Sequence, residues 1–157
     1  MLKKLKPYII SVIIALAVGG VSALLTKNNM NIFEKINMPP LSPPSVVFPI
    51  VWAVLYILMG ISSAIIYKNG TEREEVQSAL KVYALQLAVN FFWSLIFFNM
   101  QAYLFAFIWL ILLWVLVIAM IVKFKKISPV AAWLQIPYLL WITFAGYLSL
   151  MIYLLNG

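Results

Sequence analysis

The chain has 157 residues, of which 66% are hydrophobic and 10% charged, and its mean hydropathy is +1.06. A soluble domain of this length leaves too large a share of its surface in water to hide so much apolar area, so the chain reads as an integral membrane protein. Its net charge of +7 gathers at the ends of apolar segments without interleaved aromatics, which argues for orientation in a bilayer and against nucleic acid as a partner. Cys and His are both absent. That excludes a disulfide framework, a Cys nucleophile, a zinc site of the usual ligands and a His-ligated haem, and no metal site is expected.

A helix needs about 20 apolar residues to cross the hydrocarbon core. The first such run, 8–25, follows Lys3, Lys4 and Lys6. With Val21-Ser22-Ala23 as a cleavage site it could pass for a signal peptide, but the run is long and later spans already commit the chain to the membrane. A long proline-rich loop, 26–45, leads into the second run, 46–67. A hydrophilic stretch at 68–77 precedes the third, 79–98. The fourth covers 102–122 and the fifth 129–155. The runs lack the alternation of a barrel wall, and backbone groups in lipid must be satisfied internally, so each is predicted to be a helix. No internal repeat interrupts residues 1–157, which predicts one all-α domain, a bundle of five transmembrane helices.

Lys3, Lys4, Lys6, Lys68, Arg73, Lys81, Lys123, Lys125 and Lys126 fall on one side of a five-span chain, and Lys27 and Lys35 on the other. The positive-inside rule then predicts a cytoplasmic N-terminus, with the C-terminus and the first loop outside. Pro7 and Pro129 are expected in the first turn of their spans, whereas Pro49 and Pro137 fall inside spans two and five, where a proline can kink a helix. Small residues recur every fourth position at Ala15, Gly19 and Ala23, at Gly60 and Ala64, and at Ala145 and Ser149. Such stripes serve packing within the bundle or dimerisation.

No charged residue lies deep in any span, which argues against ion-coupled transport, and the usual general bases are missing, which argues against a hydrolase. Amides, hydroxyls and aromatics remain. Gln86, Asn90 and Ser94 share one face of span three, beside Trp93 and Phe97. Phe48, Trp52 and Tyr56 make a stripe on span two, as do Trp133, Pro137, Trp141 and Ala145 on span five. Aromatics can simply face lipid, and that reading suits Trp109 and Trp114, which lack polar neighbours at helical spacing. Trp52 and Trp141 lie well inside their spans, and flat aromatic walls with one or two amides suit a planar, largely apolar ligand.

Three ordered motifs carry a resemblance over almost the whole chain. They are the elbow Pro39, Pro43, Pro44 leading into F-P-x-V-W-x-x-L-Y-x-x-M-G (Phe48 to Gly60), N-F-x-W-S (Asn90 to Ser94), and W-L-x-I-P-Y-L-x-W-x-x-F-A-x-Y-L (Trp133 to Leu148). They resemble the translocator protein family, also called tryptophan-rich sensory proteins or peripheral-type benzodiazepine receptors. The resemblance implies a five-helix bundle, commonly a homodimer, that binds porphyrins such as protoporphyrin IX and requires no cofactor. It implies pocket roles for Trp52, Tyr56, Asn90, Trp93, Trp141 and Ala145, with Ala23 and Leu148 nearby; the residue pattern adds Phe48 and Gln86. The first loop would be the lid, with Phe33, Pro39, Leu41, Pro43 and Pro44. The family often has W-Y where this chain has Ile32-Phe33, and a Trp in the elbow where it has Leu41. No basic residue follows Tyr147 or Tyr153, so no motif-based sterol site is expected. Three functions compete: a porphyrin receptor or sensor; light- and oxygen-dependent porphyrin degradation, in which Trp52 and Trp141 would be the catalytic pair; and passive transport of porphyrin or another small molecule.

Overall fold

The computed structural model describes residues 2–29, 38, 40, 42, 44 and 46–156. Helices occupy all five predicted spans: α1 (Leu2–Thr26), α2 (Val47–Tyr67), α3 (Glu74–Ser94), α4 (Tyr103–Ile127), and a fifth span made of α5 (Pro129–Leu134) and α6 (Ile136–Asn156). Five helical segments are long and apolar enough to cross a membrane. No strand occurs among the described residues.

The helices overrun the apolar runs at their polar ends. The first turn of α3 carries Glu74 and Glu75, and the last turn of α4 carries Lys125 and Lys126. Each pair has the sign that complements the helix dipole at its end, which favours helix beyond the hydrocarbon. Gly70 closes the turn between α2 and α3 at φ 110°, a left-handed conformation that glycine adopts without steric cost.

The prolines fall differently from expectation. Because α1 begins at Leu2, Pro7 lies inside the helix and not in its first turn. The bond it forgoes would go to the carbonyl of the exposed Lys3, where water can replace it. Pro49 is the third residue of α2, a position whose N–H has no helical acceptor, so it imposes no kink. Pro129 opens α5 as expected, with the Ser128 hydroxyl accepting from the Ala131 N–H at 3.4 Å. Pro137 has the largest effect. Its ring would clash with the carbonyl of Trp133 in a continuous helix. The span instead breaks at Gln135, whose N–H tightens onto the Ala132 carbonyl at 3.1 Å before α6 begins.

In the bundle α1 lies against α2, α3 against α4, and α4 against both α5 and α6. Two small-residue positions set the α1–α2 approach. A Cβ at Gly60 would stand 2.5 Å from the Val12 Cα, and one at Gly19 would collide with the Tyr56 ring. These members of the stripes therefore serve packing within the chain. Near the basic end, the Ser62 hydroxyl donates to the Ala131 carbonyl at 2.7 Å and joins α2 to α5. Lys68 Nζ also sits 4.9 Å from the centre of the Tyr8 ring, tying the end of α2 to α1.

Gly60→Ala is expected to lower stability by ~1–3 kcal/mol through forced separation of α1 from α2, read as an earlier thermal unfolding transition in detergent. Gly20→Ala is the control, since a Cβ there meets nothing within 4 Å. Equal transitions in the two variants would contradict this account of the packing.

Candidate functional site: an aromatic gap between α2 and α6

The break at Gln135 leaves α5 close to the backbone of α2, while α6 approaches α2 much less closely. Aromatic rings fill the space so opened. The Trp52 ring centre lies 5.7 Å from that of Tyr56, 6.3 Å from Tyr138, and 6.4 Å from both Trp93 and Trp141. Trp141 meets Trp52 at 89° and Phe48 edge-on at 5.7 Å. Such edge-to-face arrangements suit the ring quadrupoles.

Helix α3 contributes through an irregularity of its own. After Ser94 it continues as a π turn, Leu95–Asn99, with the Met100 N–H bonded to the Leu95 carbonyl at 3.0 Å. The wider turn presents both Phe97 and Phe98 to the cluster. Phe97 stacks on Trp93 at 5.1 Å, and Phe98 meets Trp93 edge-on. Asn99 Nδ2 donates to the Leu25 carbonyl at 3.0 Å, holding this turn to the end of α1.

Between these rings lies a gap of about 20 Å³ lined by Phe48, Trp52, Trp93, Phe97, Phe98, Trp141, Ala145, Leu148 and Ser149. Three side chains in that lining carry a buried polar atom with no partner among the described residues: Trp93 Nε1, Trp141 Nε1 and Ser149 Oγ. Indole nitrogens donate only, so the wall offers hydrogen-bond donors to whatever occupies it. No charged side chain lines it. Phe48, Trp52 and Phe98 are shared with a second space, a groove of about 230 Å³ between α1 and α2 that also meets Gly19, Ala23 and Tyr56.

Behind Trp52 runs a buried chain of polar groups. The Tyr56 hydroxyl donates to Asn90 Oδ1 at 3.0 Å, Asn90 Nδ2 donates to the Tyr138 hydroxyl at 2.7 Å, and that hydroxyl donates to Gln86 Oε1 at 2.7 Å. Every member is less than 9% exposed. In a low-dielectric interior these bonds gain strength and hold α2, α3 and α6 in register. They also fix the Tyr56 and Tyr138 rings against which Trp52 rests.

The expected site residues thus divide into three groups. Phe48, Trp52, Trp93, Trp141, Ala145 and Leu148 line the gap, while Ala23 and Tyr56 face the α1–α2 groove. Gln86 and Asn90 stand behind the wall and position its rings. Of the lid, Phe33, Pro39, Leu41 and Pro43 lie outside the described residues. The Pro44 carbonyl accepts from the Val47 N–H at 3.0 Å and turns the chain into α2. The Tyr147 hydroxyl donates to the Pro40 carbonyl at 2.6 Å, attaching the loop to α6.

Trp133 does not join the face of Trp141 and Ala145, because the break at Gln135 separates them; it is 72% exposed. Trp109 and Trp114 do more than face lipid. Their indoles donate to the Val89 carbonyl at 2.7 Å and to Thr143 Oγ1 at 2.9 Å, partners on other helices that spacing along one helix does not reveal. Sequence reasoning passed over Tyr138, Phe98 and Tyr147. Tyr138 and Tyr147 stand in the third motif, but their hydrogen-bond partners, Asn90, Gln86 and Pro40, lie on distant segments that spacing along one helix does not reveal.

The TspO/MBR family model matches residues 11–155. The chain belongs to the TspO/MBR family. It is 34% identical to a tryptophan-rich protein TspO of Chlorobaculum tepidum, over 91% of each chain. It is 35% identical to the protein CrtK of Rhodobacter capsulatus, over 79% of this chain and 78% of that one. A translocator protein of Ovis aries is also 35% identical, over 74% of this chain and 70% of its own. Six of the nine residues that line the aromatic gap, Phe48, Trp52, Trp93, Trp141, Ala145 and Leu148, fall within the three motifs quoted above. The protein is therefore an integral, multi-pass membrane protein of this family.

Tyr138→Phe is expected to cost ~1–3 kcal/mol, because it leaves Asn90 Nδ2 and Gln86 Oε1 buried without their partner. The check is denaturant unfolding in detergent; wild-type stability would mean that this polar chain does not hold the helices.

Proposed function

We propose that this TspO/MBR protein is an intramembrane receptor for porphyrin-type tetrapyrroles, protoporphyrin IX in the first instance. The observation that carries the reading is the donor-bearing aromatic gap. A macrocycle offers a flat apolar face to the rings of Trp52, Trp93 and Trp141, and its carboxylates or carbonyls are acceptors for indole N–H groups. With no His or Cys in the chain, recognition rests on the ring and its substituents and not on a metal.

Both spaces are smaller than the ~300 Å³ at which ligand pockets usually begin. Even merged they fall short of it, so binding requires Phe48, Trp52 or Phe98, the walls common to gap and groove, to swing outward and enlarge the joined space. The Tyr147 hydroxyl holds the Pro40 carbonyl at the entrance to α2. The basic-residue asymmetry orients the N-terminus to the cytoplasm and the loop to the outside. Pairing of two copies as a homodimer is part of the same proposal, and the many exposed apolar residues of α1 offer one face for it.

Degradation of bound porphyrin under light and oxygen is the second reading, favoured by the Trp52–Trp141 contact at the centre of the gap. Transport, the third reading, would be passive, because no charged group in the deep spans offers coupling.

Titration of the purified protein with protoporphyrin IX is expected to quench Trp fluorescence saturably, and an unchanged signal at saturating ligand overturns the receptor reading. Ala145→Leu fills a gap of about 20 Å³ and is expected to weaken binding by at least about tenfold, roughly 1.4 kcal/mol, with the unfolding transition retained. Illumination of the complex separates the second reading. Bleaching that continues at the wild-type rate in Trp52→Phe with Trp141→Phe removes both tryptophans from that chemistry.

A further inference from the structure

At the end of the bundle that carries nine of the eleven basic residues, α4, α5 and the start of α6 enclose a groove of about 240 Å³ lined by Ile121, Lys125, Pro129, Ala132, Trp133 and Ile136. It is separate from the aromatic gap and shares no lining residue with it. Trp133, at 72%, is the most exposed of the large hydrophobic residues, and its indole N–H has no partner among the described residues. Lys125 is exposed and likewise makes no ion pair or hydrogen bond there, whereas nearby Lys123 donates to Ser78 at 2.9 Å. We infer that this groove binds one anionic phospholipid.

Three chemistries in the groove match three parts of such a molecule. Ile121, Ala132 and Ile136 form an apolar channel running into the span, suited to an acyl chain. Trp133 lies one turn inside the start of the span, at the depth where indole rings settle and can donate to an ester carbonyl. Lys125, one turn before the turn at Ser128, stands at the mouth, where the phosphate would lie. The carbonyl end of α4 opposes an anion with roughly −0.5 charge. Lys125 and its neighbour Lys126 outweigh this with two positive charges. A free phosphate would use the lysines alone and leave the channel without purpose, so the lipid is the occupant that employs the whole groove.

The test is native mass spectrometry of the detergent-purified protein, titrated with phosphatidylglycerol and with phosphatidylcholine of the same acyl chains. Phosphatidylglycerol is expected to bind at least about fivefold more tightly, the effect of one to two lysines near a lipid phosphate. Lys125→Gln with Lys126→Gln should erase that preference, and Trp133→Leu should weaken both lipids. Lys3→Gln with Lys4→Gln should change neither. Equal affinity for the two lipids overturns the inference, as does a preference that survives the Lys125 and Lys126 changes. Displacement of the lipid by millimolar inorganic phosphate also overturns it, by showing an anion site without a lipid channel.

Discussion

A polar side chain placed in hydrocarbon must find its partner inside the bundle, because no water stands ready to replace it. The chain Tyr56–Asn90–Tyr138–Gln86 answers that demand for all its polar atoms but Gln86 Nε2, joining three helices through side chains that are all buried. Apolar packing alone would hold α2, α3 and α6 only loosely, since lipid tails compete on equal terms with Leu and Ile. The hydrogen bonds set the register, and register decides which rings meet at Trp52. The aromatic site thus depends on a polar core that does not itself line the gap.

Two backbone irregularities then turn a regular bundle into one with a site. Pro137 breaks the fifth span, so that α5 keeps its contact with α2 through Ser62 while α6 diverges. The π turn at Leu95–Asn99 brings two successive phenylalanines to the space that results. Irregular backbone is tolerated at membrane depth where it is buried in protein, and such turns often sit at functional positions. The same break sends Trp133 outward, away from Trp141. One proline therefore separates an inner aromatic surface from an outer one.

Much of this architecture is legible in the amino-acid sequence. The length of the apolar runs and the absence of water-compatible composition led to five helices, the depth of Trp52 and Trp141 pointed to an aromatic wall, and the motif resemblance implied Trp93 and Ala145, which also line the gap. Other features were not legible. Tyr138 bonds to residues 48 and 52 positions away along the chain. Trp109 reaches a backbone carbonyl 20 residues distant. Periodicity along a helix shows which residues share a face, but it does not show which foreign atom that face will meet.

The amino-acid sequence by itself determined the solvent, the number of spans, the small residues that let α1 and α2 approach and the aromatic character of the site. These follow from local quantities: transfer free energies, helix length against bilayer thickness, and the volume of each side chain. Only the tertiary structure decided that Gln86 and Asn90 support the wall instead of lining it, and that Pro49 leaves its helix straight while Pro137 breaks one. It also decided that Trp133 faces outward. Each of these turns on where a helix begins and on what lies across from it, and both are settled by packing between segments distant in the chain.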